Sequence, residues 1–228
     1  MHYVVPELEE TYELAQNQYH FGTVWQHTMG VLAQLDTDQL EVRMAALLHD
    51  MGKVRTRTES DGKVQFLKHE QESAIMVEQL LRPLKYSNEF ISQVTFLVQH
   101  HMRTKKWGNE CQDMKNKHLR ELQYICVTES RFRCLMALID ADNRSHATAY
   151  CMPQQVQYIF RRTEEMIKNG TAMFDYRLPL NGKEVMEAKG IASGPAVKNC
   201  LSYLLKLAFV NPSRTKEEFI KHLKGYRI

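Results

Sequence analysis

The sequence predicts an all-α bundle, and three observations carry that expectation. Apolar residues recur at spacings of three and four in segment after segment. No alternation of period two persists beyond a few residues. Helix-boundary residues such as Ser87-Asn88-Glu89, Asn169-Gly170 and Thr215-Lys216-Glu217-Glu218 punctuate the chain. With 228 residues there is room for one large domain and a small appendage, and enough length to bury a core without staples.

Taken in order, residues 7–17 are polar and helix-prone. Thr23 is an N-cap for a helix through Leu35, whose stripe of Val24, His27, Val31 and Leu35 includes a histidine. Leu40 to Leu48 is the next helix, and it runs into His49-Asp50-Met51-Gly52-Lys53. Gly52 allows a sharp turn there. Residues 54–65, with Asp61-Gly62 as a turn signal, read as an exposed loop or short hairpin. Lys68-His69-Glu70 opens a helix with Ala74, Ile75, Val77, Leu80 and Leu81 on its apolar stripe, closed by Arg82-Pro83. Ser87 caps a helix that ends in His100-His101.

Residues 103–118 read as a polar loop whose Lys105-Lys106-Trp107 cluster is suited to touching a nucleotide, although a solvated surface loop is the plainer description. Helices follow over Leu119–Thr128 and Arg131–Ala141, the second delivering Asp140-Ala141-Asp142 near its end. A helix over Gln154–Lys168 closes the large domain, placed at residues 1–170. Residues 171–228 form a small helical subdomain. In it, Leu180-Asn181-Gly182 turns into a short helix, Ser193-Gly194-Pro195 opens an apolar helix over Val197–Ala208, and Thr215 caps a final one.

Composition narrows the function classes. Hydrophobic residues make up 43% and charged residues 25%, as in ordinary globular proteins. A net charge of +3 does not by itself imply nucleic-acid binding, and it is compatible with a phosphate-bearing substrate. The five cysteines form no C-x-x-C pair and are odd in number, which argues for reduced thiols in a cytoplasm. The N-terminus has no apolar signal region, and no run reaches the ~18–20 apolar residues of a membrane span.

Each histidine alone has an ordinary reading as a core residue or a helix-end charge. Together, His27, His49-Asp50, His69, His100-His101 and Asp142 all fall at or near helix ends or on an apolar stripe, where a bundle can gather them into one cleft. Imidazole and carboxylate without thiolate suit Mn, Ni, Co, Zn, Fe or Mg. Lys53 places a positive charge where a phosphate could lie.

The strings QNQYHFGTVWQHT, RMAALLHDMGK, FLKHEQESA, FLVQHHMR and ALIDADNRS resemble successive motifs of the HD-domain metal-dependent phosphohydrolases. They are most similar to the HD domain attached to bacterial tRNA nucleotidyltransferases, the CCA-adding enzymes. LPLNGKEVMEAKGIASGP resembles the segment that follows that domain, so the likeness covers roughly residues 16–225. It implies an HD-domain helical bundle with a small α-helical C-terminal subdomain. It also implies one or two divalent metal ions, with His27, His49, Asp50 and Asp142 as ligands. His69 and one of His100 and His101 would serve a second ion, alignment by eye favouring His101. Asp142 is preferred to Asp140 because the family motif reads Ala-Asp before a polar residue and often Arg.

The resemblance further implies phosphoester hydrolysis, with Asp50 orienting water, Lys53 neutralising phosphoryl charge and Arg144 a weaker candidate for substrate binding. The nucleotidyltransferase head of the family is not in this sequence, so nucleotide addition to tRNA is not expected of it. The expected substrate is an RNA 3′ end or nucleotide bearing a 2′,3′-cyclic phosphate or a 2′-phosphate. The alternatives are a phosphohydrolase of free nucleotides, and a non-catalytic, metal-bearing scaffold for a separate nucleotidyltransferase or kinase.

Overall fold

The computed structural model describes residues 5–227. These divide into two compact units: the stretch up to Gln112 with Arg133–Tyr158, and Asp113–Phe132 with the stretch from Ile159 onward. Both are helical, and among the described residues the one sheet is a two-stranded hairpin.

In the first unit, α1 (Pro6–Glu9) stops well short of the helix-prone stretch 7–17. Past it the chain is tied down locally instead. The Thr11 hydroxyl donates to the Leu8 carbonyl, Ala15 bridges Thr23, and the Gln16 amide donates to the Thr23 carbonyl. Helix α2 (Val24–Gln34) starts at a full capping box, with Thr23 and Gln26 exchanging side-chain and backbone bonds. Helix α3 (Leu40–Leu48) packs against α2 and buries Val42, Ala45, Ala46 and Leu48. A one-turn α4 (Lys53–Thr56) leads into β1 (Arg57–Ser60) and β2 (Lys63–Phe66), paired antiparallel around Asp61-Gly62. Both turn residues have positive φ, as the tight hairpin requires. Helix α5 (His69–Leu81) packs on α6 (Asn88–His100), and α6 on α3.

The second unit begins with α7 (Asn116–Cys126). Helix α8 (Glu129–Arg144) gives its first turn to this unit, while its later residues, including the buried Leu135, Met136, Leu138 and Ile139, belong to the first. Most of α9 (Gln155–Lys168) and all of α10 (Gly182–Lys189), α11 (Pro195–Val210) and α12 (Lys216–Gly225) follow. Capping boxes at Asn181 and Thr215 start α10 and α12. Their core is Met173, Leu180, Val185, Cys200, Leu204, Ala208, Phe219 and Leu223, with Tyr124 of α7 packed against it.

This division does not follow a boundary at 170/171. Helix α7 joins the C-terminal residues because its buried polar groups bond to them. Gln123 accepts from the Met173 amide at 3.1 Å, and Arg120 donates to the carbonyls of Thr171, Phe209 and Val210. Periodicity identifies α7 as a helix but carries no information about which core it serves. No described helix is long and apolar enough to cross a membrane.

Candidate metal centre

Four histidines and two aspartates meet inside the first unit. His27 lies on the buried stripe of α2, His49 caps the C-terminus of α3, and Asp50 follows it in the turn to α4. His69 is the first residue of α5, His101 caps the C-terminus of α6, and Asp142 is in the last turn of α8. None of the six is more than 6% exposed.

The local backbone fixes how the imidazoles face. The Nδ1 atoms of His49, His69 and His101 bond to the carbonyls of Ala46, Phe66 and Val98, each three residues upstream, at 2.7–2.8 Å. His27 Nδ1 bonds to the Ser145 carbonyl at 3.2 Å. A carbonyl only accepts, so Nδ1 carries the proton in every ring and the neutral imidazole presents a bare Nε2. For His49 and His101 the bond also satisfies a carbonyl in the last turn of a helix.

All four Nε2 atoms converge on Asp50. Its Oδ2 lies 3.3 Å from His49 Nε2 and 3.6 Å from His27 Nε2, and its Oδ1 lies 3.2 Å from His69 Nε2 and 3.8 Å from His101 Nε2. Asp142 Oδ1 approaches His27 Nε2 at 3.1 Å, and the Nε2 atoms of His69 and His101 are 3.4 Å apart. Ligand atoms ~2.1 Å from a common ion, at tetrahedral or octahedral angles, lie ~3.0–3.4 Å from one another, and these separations fall close to that range.

The donors present therefore fit divalent cations. His27 Nε2 and His49 Nε2 are buried with no hydrogen-bond donor to fill their lone pairs. Such orphaned atoms are costly unless something else occupies their lone pairs. Several triads, among them His27–His49–Asp142 and His49–Asp50–His101, have ligand atoms within 4.8 Å of one another. The two oxygens of Asp50 divide the cluster into a side with His27, His49 and Asp142 and a side with His69 and His101.

Positive charge balances the carboxylates. Lys53 Nζ lies 2.7 Å from Asp50 Oδ2 and donates to Gln16 Oε1, also at 2.7 Å. Burial opposes ionisation of Asp50, but His49 and Lys53 outweigh it and hold the carboxyl well below its usual range. Lys105 and His27 do the same for Asp142 against its burial. Burial and the neighbouring His49 and His69 rings push the His101 imidazole well down, to the neutral form a metal ligand needs.

Gly52 serves packing rather than turn geometry. Its φ of −66° is ordinary helical backbone, open to any residue. A Cβ there would sit 2.5 Å from the His69 carbonyl and 2.5 Å from the Ser73 amide nitrogen. The Gly52 amide donates to the Ser73 hydroxyl at 2.8 Å. This close approach of α4 to the first turn of α5 sets Asp50 beside His69.

Not every sequence candidate reaches the cluster. His100 points away, with its ring on Phe96 and its Nδ1 accepting from Arg103, so His101 is the member of the pair that faces Asp50. Asp140 pairs with Arg144 at 2.8 Å, and Arg144 also donates to the Gln34 carbonyl. Residues two apart on a helix diverge by ~200°, so Arg144 cannot share the face of Asp142, and it has no place at the cluster.

Two participants, His20 and His146, escaped the sequence reading, and a third, Lys105, has a deeper place than a surface loop would give it. Lys105 Nζ lies 2.8 Å from both Asp142 Oδ2 and Asn143 Oδ1, so this residue of the expected surface loop is part of the centre. His20 stacks edge-on over His27 with ring centroids 4.6 Å apart, and His146 lies 4.7 Å from His20. His146 lies two residues beyond the end of α8, with its Nε2 4.0 Å from Asp142 Oδ1, and neither it nor His20 gave a periodic signal in the sequence. Burial lowers the pKa of His146 to about 4, helped by Lys105 and His27 against Asp142. A cavity of about 820 Å³ opens beside the centre, lined by Lys53, His69, Lys105 and His146 among others.

The family model of the HD domain matches residues 18–130, which include His27, His49, Asp50, His69 and His101 but not Asp142 or His146. The chain is 28% identical over 232 residues to a CC-adding tRNA nucleotidyltransferase of Thermus thermophilus, covering 98% of this chain and 50% of the relative. It is 28% identical over 223 residues to an A-adding tRNA nucleotidyltransferase of Deinococcus radiodurans, covering 94% and 49%. The chain thus spans about half the length of these curated relatives.

Proposed function

Because this chain belongs to the HD-domain family, within the superfamily of metal-dependent phosphohydrolases, we propose that it hydrolyses phosphoesters at an RNA 3′ end, a 2′,3′-cyclic phosphate or a 2′-phosphate. The observation that carries the reading is the convergence of four backbone-oriented Nε2 atoms on the two oxygens of Asp50. It supports a site for one or two divalent cations, to which Asp50 would contribute its carboxylate. His27, His49 and Asp142 would hold one, and His69 and His101 a second. The cations supply Lewis acidity, drawing charge from phosphoryl oxygens and acidifying water.

The chain's own residues do the rest. Asp50, held ionised by His49 and Lys53, would accept a hydrogen bond from the attacking water and orient it. Lys53 and Lys105 line the cavity beside Asp50 and Asp142 and would offset charge gathering on the non-bridging oxygens. The second lysine is itself oriented by Asn143. Names of the relatives refer to tRNA, which favours an RNA end over a free nucleotide.

The test uses the purified chain, stripped and reloaded with Mn, Co, Ni, Zn or Mg. Substrates are an RNA oligonucleotide ending in 2′,3′-cyclic phosphate, one ending in 2′-phosphate, and free 2′,3′-cyclic AMP. Metal-dependent cleavage reduced by at least about a thousandfold in a folded Asp50→Ala chain is the expected result. An Asp50→Ala chain that turns over like the wild type would overturn the assignment. Silence on all three substrates and on a broad nucleotide panel, despite metal binding, would favour a scaffold instead.

A further inference from the structure

The cavity beside the metal centre has a second wall whose chemistry differs from its floor. The segments around residues 17–20 and 146–150 are tied together, His20 bridging His146 and the Ala147 amide donating to the Tyr19 carbonyl at 3.0 Å. The pairing turns His20 toward His27 and sets Tyr19 against Tyr150, edge to face with centroids 4.8 Å apart. Both tyrosines line the cavity, and both keep surface open to solvent, 46% and 39%. Leu67 and Met102, also lining it, are 70% and 37% exposed.

Water-exposed apolar groups of this size, gathered at one cavity, mark a binding surface. The volume of about 820 Å³ falls within the ~300–1,000 Å³ of pockets that take up a whole small molecule. Lys53 and Lys105 line the cavity on the side of the candidate metal centre, so the phosphoryl group belongs there and a flat, uncharged group belongs against the rings.

We infer that Tyr19 and Tyr150 form a nucleobase-stacking subsite, which holds the base of the nucleoside whose phosphate lies at the metal centre. The inference rests on the phosphoester reading above and adds what that reading leaves open: the enzyme recognises a nucleoside, not a bare ribose phosphate. Stacking uses the π-face common to every base, so it confers affinity without sequence readout.

The experiment is equilibrium binding to the Mn-loaded chain. One probe is a 2′-phosphonomethyl analogue of adenosine 2′-monophosphate, whose P–C bond resists hydrolysis. The other is the same sugar phosphonate with a methoxy group in place of the base. The nucleoside analogue is expected to bind roughly 5- to 100-fold more tightly. That ratio should fall toward one in Tyr19→Ala and Tyr150→Ala, and persist in Tyr19→Phe, Tyr150→Phe and Tyr19→Trp, which keep an aromatic face. Equal binding of the two probes to the wild type would overturn the subsite and leave the phosphoester reading standing. A ratio unchanged in both alanine variants would also overturn it. Failure of both probes to bind would remove the subsite and the phosphoester reading together.

Discussion

The first unit encloses His27, His49, Asp50, Lys53, His69, His101 and Asp142 almost completely, whereas the core of the second is Met173, Leu180, Val185, Leu204, Phe219 and similar side chains. The two interiors have different energetics. Each apolar side chain of the second core stabilises the fold by leaving water, at about 25 cal/mol per Å². The ionised groups of the first cost several kcal/mol each to desolvate, offset only by mutual pairing and by any cation they bind. A cluster of orphaned imidazole nitrogens is therefore a poor way to stabilise a bundle. Its presence fits the proposed metal-binding role, with the aliphatic residues of α2, α3, α5 and α6 around it supplying the stability.

The largest expected stability effect lies in the apolar interior. Leu204 of α11 is fully buried. Leu204→Ala should cost about 3 kcal/mol, the transfer free energy of the lost methyls plus a cavity. The loss should appear as weakened amide protection of α10, α11 and α12 in hydrogen exchange. Metal affinity measured by calorimetry should remain within about twofold of wild type, as expected for sites that share no partners. A parallel collapse of metal binding would break the contrast between the two units.

Gly52→Ala tests the opposite interior. An added Cβ meets backbone, the His69 carbonyl and the Ser73 amide, neither of which can rotate away. Overpacking of this kind costs about 1–3 kcal/mol. It should also separate Asp50 from His69, so metal affinity should fall together with the melting temperature. Loss of stability with intact metal binding would mean that the α4–α5 contact is structural alone.

Much of this centre was legible in the sequence because helix ends are written locally. Thr23, Ser87 and Thr215 sit where the caps form, Leu40–Leu48 is the helix the apolar pattern predicts, and the HD and HH pairs fall at helix C-termini. The pattern could not show that His49, His69 and His101 each spend Nδ1 on a carbonyl three residues upstream, since that is a matter of side-chain rotamer. Nor could it place Lys105, which lies 38 residues from Asn143 in the chain and meets it only through the fold. Gly52 illustrates a third limit. The residue type signalled a special backbone need, but the need was proximity to α5, which no local pattern records.

The smallest effect is expected at Arg144, and it sharpens where the functional interior ends. Its guanidinium sits on the far side of α8 from Asp142, paired with Asp140 and the Gln34 carbonyl, with both charged side chains partly open to solvent. An ion pair of that kind contributes ~0.2–1 kcal/mol and is screened by salt. Arg144→Ala should therefore lower stability by no more than about 1 kcal/mol, with a smaller loss at high ionic strength. Metal affinity and turnover should stay within about threefold of wild type, because the substitution touches no group that faces the cavity. A large fall in kcat/KM with stability unchanged would place Arg144 on the substrate after all. The functional surface would then reach around α8, and the partition drawn between Asp142 and Asp140 would have to be redrawn.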